Sequence, residues 1–138
     1  MARLSTTLGI GCGFLTLGGM CLTSFACQVI WPMAAEDAAT GFLSDVRTAS
    51  WSSALQRTSR GFQEHHDDAE LASAVGRIPL LARHTAASIS NATMGSDQAL
   101  LDGTLDTPEG SVPVGVELVY AEGYWYVDHL VVRGVPLE

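Results

Sequence analysis

The sequence predicts an α+β roll behind an N-terminal transmembrane helix, with three helices packed on a four-stranded antiparallel sheet. Three observations carry that reading. An uncharged apolar run fills Leu4 to Ala35. Apolar residues then recur at helical spacing as far as Gly76. Beyond Pro79 the period falls to two.

The first element is the apolar run, whose core extends from Leu8 to Ile30. Roughly 20 apolar residues at 1.5 Å rise cross a bilayer core, and this stretch exceeds that length. Trp31 stands where an interfacial aromatic would, and Pro32 where a helix can stop. Arg3 precedes the run and Glu36 and Asp37 follow it, so the positive-inside rule puts the chain after it outside the cytoplasm. The expected organisation is a single-pass anchor over residues 1–34 and an extracytoplasmic domain over residues 35–138. Two other readings also export the domain. One is a signal peptide cleaved after Ser24-Phe25-Ala26, and the other is lipid attachment at Cys27. Against them, the run is longer than the 7–15 residues of an ordinary signal-peptide core, and leucine is missing from the residues just before Cys27. Gly9 and Gly13 form a GxxxG that would let two such helices approach, which makes a homodimer one expectation.

Ala35, Ala38, Ala39, Phe42, Leu43 and Val46 share one face of a helix running to about Ala49. Ser50 then fits the N-cap of a second helix that turns Trp51, Ala54, Leu55 and Thr58 inward and stops at Gly61. Asp67 and Glu70 form a D-x-x-E capping box, opening a third helix with Leu71, Ala74 and Val75 inside. Gly76 and Pro79 close it.

Four strands follow, over residues 83–91, 98–106, 111–121 and 124–133, separated by clusters of turn residues. A two-residue Glu122-Gly123 turn pairs Ala121 with Tyr124, Val119 with Tyr126 and Glu117 with Asp128. The other face then gathers Val112, Val114, Val116, Leu118, Tyr120, Trp125, Val127 and Val131, with His129 as its one polar member. Helices should cover that face.

Charge excludes some functions. Residues 36–138 carry six arginines against fifteen carboxylates, a formal charge of −9, and lysine is absent. Nucleic acid is an improbable partner for such a surface, because binding needs cations to displace condensed counterions. The three cysteines, Cys12, Cys21 and Cys27, all lie in the apolar run, so the domain has neither disulfides nor a thiolate metal site.

Several segments follow a recognisable pattern in the helices: Phe42-Leu43-Ser44-Asp45-Val46, Trp51-Ser52-Ser53-Ala54-Leu55 and Thr58-Ser59-Arg60-Gly61-Phe62. It continues in the strands through Ala99-Leu100-Leu101-Asp102-Gly103-Thr104-Leu105, Val116-Glu117-Leu118-Val119-Tyr120 and Gly123-Tyr124-Trp125-Tyr126-Val127. In these segments and in the order of elements the chain resembles the cystatin-like, or nuclear transport factor 2-like, superfamily in a small bacterial membrane-anchored form. The resemblance implies a cone in which a curved sheet wraps a helix and leaves a pocket at its open end. Some members are isomerases, dehydratases or cyclases, and many are binding or scaffold domains, so fold alone does not choose among them. An isomerase of the steroid type needs a pocket carboxylate with a tyrosine or acid as oxyanion donor. The first helix bears no tyrosine, and Asp45 is its one acid near the inner face. A fainter likeness, to cytochrome oxidase assembly factors, rests on a membrane helix joined to a small domain ending in a Gly-x-Trp-like strand.

Candidate side chains are few. Trp51, Tyr120, Trp125 and His129 would line a pocket if the cone is open, and core packing is the plainer role for the three aromatics. His65-His66-Asp67-Asp68 is the densest set of ligand-type groups, but adjacent histidines on a loop point apart and Asp67 is needed as a cap. No catalytic triad motif is present, and no cofactor, metal or catalytic residue is expected. The expected role is a non-catalytic, membrane-anchored accessory domain that binds an envelope protein or small ligand. The alternatives are a pocket enzyme using His129 and Asp45, or a structural subunit of an envelope complex.

Overall fold

A filled core between one sheet face and a layer of helices organises the computed structural model, which describes residues 32–138. Helix α1 covers residues 32–47 and buries Ala35, Ala39, Phe42, Leu43 and Val46, the face that the 3.6-residue spacing picks out. It ends in a Schellman cap. Ser50 N–H donates to the Asp45 carbonyl and Ala49 N–H to that of Val46, with Ala49 in the left-handed region at φ 56°.

Four short helices follow: α2 (Trp51–Gln56), α3 (Arg60–His65), α4 (Asp68–Gly76) and α5 (Pro79–Arg83). The strands are β1 (Ala86–Met94), β2 (Gln98–Thr107), β3 (Gly110–Ala121), β4 (Tyr124–Val132) and β5 (Val135–Pro136), antiparallel in the order β1-β2-β3-β4-β5. Three helices and four strands are therefore corrected, among the described residues, to five and five. The expected membrane span is corrected as well. No helix among the described residues is long and apolar enough to cross a membrane, and Leu8 to Ile30, with the Gly9/Gly13 pair, lie outside the described residues.

Each difference has a local cause. The expected second helix breaks at Arg57 because the free edge of β4 offers better backbone partners than another helical turn. Val127 N–H donates to the Arg57 carbonyl at 2.8 Å, and Ser59 N–H donates to that of Val127 at 2.7 Å. Thr58 thereby forms a parallel bridge to Val127. Ser59, in extended conformation, caps a new helix in which Gly61 is an interior residue. Helix α4 has the complete Asp67/Glu70 capping box, and Pro79 opens α5 at its first turn instead of only closing α4. That extra helix takes up Arg83, so β1 starts at Ala86 and runs on to Met94. The fifth strand follows an Arg133-Gly134 turn whose two positive φ values, 50° and 77°, match those of Glu122-Gly123 at 54° and 88°.

Alternation on β2 and β3 places Ala99, Leu101, Leu105, Val112, Val114, Val116 and Leu118 inward. Phe42, Leu43, Leu71, Leu81, Leu101, Leu105, Leu118 and Leu130 are all below 2 % exposed, so large side chains fill the space between sheet and helices. Side-chain contacts also fasten the helical layer. Arg57 reaches the Asp45 carboxylate at 2.6 Å, and Arg47 donates to the Thr85 carbonyl at the start of β1.

The β3/β4 register departs from the expected one at a single point. Ala121 faces Tyr124 and Val119 faces Tyr126, but Glu117 faces His129, because Asp128 is an extra residue in a β-bulge. Past the bulge the faces of β4 exchange. Leu130 and Val132 enter the core, while His129 and Val131 turn to the outer face. The expected core positions of His129 and Val131 are corrected accordingly.

Candidate functional site

With the inner face filled, the concave features that concern function lie on the outer face of the sheet and at its rim. The bulge builds the centre of that face. It puts Leu100 of β2, Glu117 of β3 and His129 of β4 in one cross-strand row, with Asp102, Gly115 and Val131 in the next. A carboxylate opposite an imidazole replaces the pair of like charges that an unbroken register would have set face to face.

Two depressions flank Glu117. The larger, about 400 Å³, lies among Thr93, Met94, Gln98, Leu100, Val119 and Asp128. The second, about 360 Å³, lies among Leu100, Asp102, Pro113, Gly115, His129 and Val131. Leu100 borders both and is 42 % exposed, an apolar side chain standing among carboxylates. Tyr124, on the same strand as His129, is 68 % exposed.

Helix α3 closes the rim beside the bulge. Ser59 Oγ donates to Asp128 Oδ1 at 2.5 Å while accepting from Phe62 N–H at 3.1 Å. His66 stacks on Phe62, with ring centroids 4.2 Å apart and planes 15° from parallel, and its Nδ1 lies 3.1 Å from the Phe62 carbonyl. An open cleft of about 460 Å³ joins Phe62, His65 and His66 to Asp128, His129 and Leu137. Three of the four histidines thus border one cleft. Among the described residues no group of three or more His, Cys, Asp or Glu side chains is placed to hold a metal ion.

The four aromatic and imidazole candidates are divided between the two sides. Tyr120 and Trp125 meet on the inner face, centroids 5.2 Å apart at 55°, with Trp125 buried. Trp51 is half-buried on α2. His129 lies on the outer face and borders two depressions there. The sheet therefore separates His129 from the helical layer, where Asp45 is engaged by Arg57, and the two do not converge as an acid–base pair. The sequence places Glu117 and Asp128 on the outer face as a facing pair, whereas it assigns Ser59 and Leu100 no role in a site. Leu100 does carry a signal, since the alternation of Ala99, Leu101 and Leu105 pushes it outward.

No family model matches the chain, and no curated protein does. Among solved structures, a DUF4783 family protein from Bacteroides ovatus is similar with a TM-score of 0.49 and 10 % identity, over 67 % of this chain and 90 % of that one. A SEC-C motif containing protein from Rhodopseudomonas palustris is similar at 0.47 and 8 %, over 63 % and 69 %. A protein from Kribbella flavida is similar at 0.46 and 14 %, over 72 % and 86 %. At this level of similarity they bear on neither family nor function.

Proposed function

We propose that this is a non-catalytic accessory domain that binds a protein partner through the outer face of its sheet. One observation carries the reading. The side that would form the pocket of a cone-shaped enzyme is filled by side chains, whereas the opposite side presents two adjoining depressions around Glu117 with Leu100 between them. An exposed apolar residue with Glu117 and Asp102 beside it suits a contact with an apolar centre and a polar rim. The resemblance to the cystatin-like superfamily, many of whose members bind without chemistry, agrees with this role.

Site-specific photo-crosslinking in the native host tests the proposal. A photoreactive residue at Val119 should capture one defined protein, the same residue at Ser73 on α4 should not, and Glu117→Arg should abolish capture from Val119. Equal capture from both positions, or capture indifferent to Glu117→Arg, would overturn it.

A further inference from the structure

The two edges of the sheet are finished differently. On the β4 side, Arg57 to Ser59 cover Val127 with backbone hydrogen bonds, and the remaining length meets β5, a two-residue strand containing Pro136. Short strands, prolines and covering segments are the ordinary means of blunting an edge. On the other side β1 runs for nine residues, Ala86 to Met94, without charge or proline, and among the described residues no strand pairs with its outer edge. Its bulge at Ser90 does not turn the strand away, because the Ser90 hydroxyl donates to the Asp102 carbonyl and holds β1 against β2.

We propose that the β1 edge accepts an extended cationic segment of a partner protein as an added strand, in which apolar residues alternate with lysine or arginine. This rests on the binding role proposed above and names the chemistry of the partner. Register supplies the alternation. Ala87, Ile89, Ala92 and Met94 stand opposite the inward residues Leu105, Gly103, Leu101 and Ala99, yet remain only half-buried. Every second residue of an added strand would cover that flank of the core. The outward positions Ala86, Ser88, Asn91 and Thr93 are small and exposed, and Ala86 and Asn91 stand opposite Asp106 and Asp102 of the next strand. A long cationic side chain on an added strand can lie across these small residues toward those carboxylates. A second copy of this chain is the poorer occupant, since β1 brings no cation to Asp102 or Asp106 and each copy carries −9 over residues 36–138.

Amide hydrogen exchange on the full chain tests the assignment, with a capped octapeptide of alternating valine and lysine as the probe and a valine–glutamate octapeptide as control. The lysine peptide should protect β1 amides, the protection should weaken at high salt, and Ser88→Lys with Asn91→Lys should lower affinity about tenfold or more. Asp102→Asn, which keeps the shape of the side chain, should weaken binding several-fold, so the test stands even if the double variant folds poorly. Equal protection by the glutamate peptide would overturn the proposal, as would protection confined to other strands. Concentration-dependent protection of β1 without peptide would also overturn it, by assigning the edge to a second copy. Absence of any captured protein at Val119 in the unsubstituted chain would sink the outer-face reading instead, leaving the exchange result intact.

Discussion

Ser59 and Asp128, 69 residues apart, are joined by a 2.5 Å hydrogen bond from the Ser59 hydroxyl to a carboxylate oxygen in the β4 bulge. The same hydroxyl oxygen accepts from Phe62 N–H, so one side chain caps α3 and ties it to the sheet. Removing it should cost more than a cap alone. Ser59→Ala is expected to lower stability by about 1–2 kcal/mol, measured by urea denaturation, and Asp128→Asn by less because Asp128 is exposed to water. A cost for Asp128→Asn equal to or above that of Ser59→Ala would contradict this coupling.

Gly103 sits opposite Ile89 beside the β1 bulge, where a Cβ would fall 2.1 Å from the Ser88 carbonyl oxygen and 3.0 Å from the Ile89 Cα. Both neighbours are backbone, so they can give way only if β1 moves as a strand. Gly103→Ala should therefore destabilise by about 1–3 kcal/mol and speed amide exchange in β1 more than in β3 or β4. Uniform exchange across the sheet would show that the close approach is relieved elsewhere.

Gly41 illustrates two effects of similar size and opposite sign. The Arg57 guanidinium lies over it, and a Cβ there would meet Nη1 at 2.5 Å. Alanine in a helix interior gains about 1 kcal/mol over glycine. The displaced ion pair with Asp45, in which Arg57 is 45 % exposed, contributes about 0.2–1 kcal/mol. Gly41→Ala should be neutral to mildly stabilising in thermal melts, because the obstructing atoms end a flexible side chain. A large loss would mean that Arg57 holds α1 more firmly than an exposed pair can.

His84 should make stability depend on pH. It is buried between α5 and β1, and burial holds its imidazole below the ordinary value near 6.5. The Leu81 carbonyl accepting from Nδ1 opposes that shift, and the Arg47 charge adds to it. A neutral histidine in the folded state binds fewer protons than the unfolded one. The stabilisation is complete above about pH 6.5 and is lost as pH falls through the lowered folded value. Urea titrations should show stability dropping on that acid side, and His84→Gln should flatten that part of the profile. An unchanged profile in the variant would assign the dependence to other groups.

How much of this was legible differs from element to element. The buried face of α1 and the cap of α4 follow from neighbours within one or two helical turns, and the Glu122-Gly123 hairpin from its two central residues. The break in the second, short helix expected from Ser50 to Gly61 is not legible, because nothing near Arg57 in sequence reveals that Val127 offers it hydrogen bonds. Arg133-Gly134 did carry a turn signal, a residue followed by glycine, but the tail beyond it is too short to show strand alternation. The outer-face site was hidden by Asp128. A bulge leaves hydrophobic alternation intact on either side and changes only its phase, and Leu130 beside Val131 is compatible with both phases.

What the sequence by itself determined is what local chemistry controls: the helical face of residues 35–46, the capping box at Asp67, the tight turn at Glu122, and an acidic domain without cysteine. The tertiary structure alone decided that a helix breaks at Arg57 to cover β4, that His129 turns away from the core, and that no strand among the described residues pairs with the outer edge of β1. The reason is physical. Caps and hairpin turns are satisfied within a few residues, whereas bulges and sheet edges are settled by partners distant in the chain, whose backbone groups become available only once the sheet has formed.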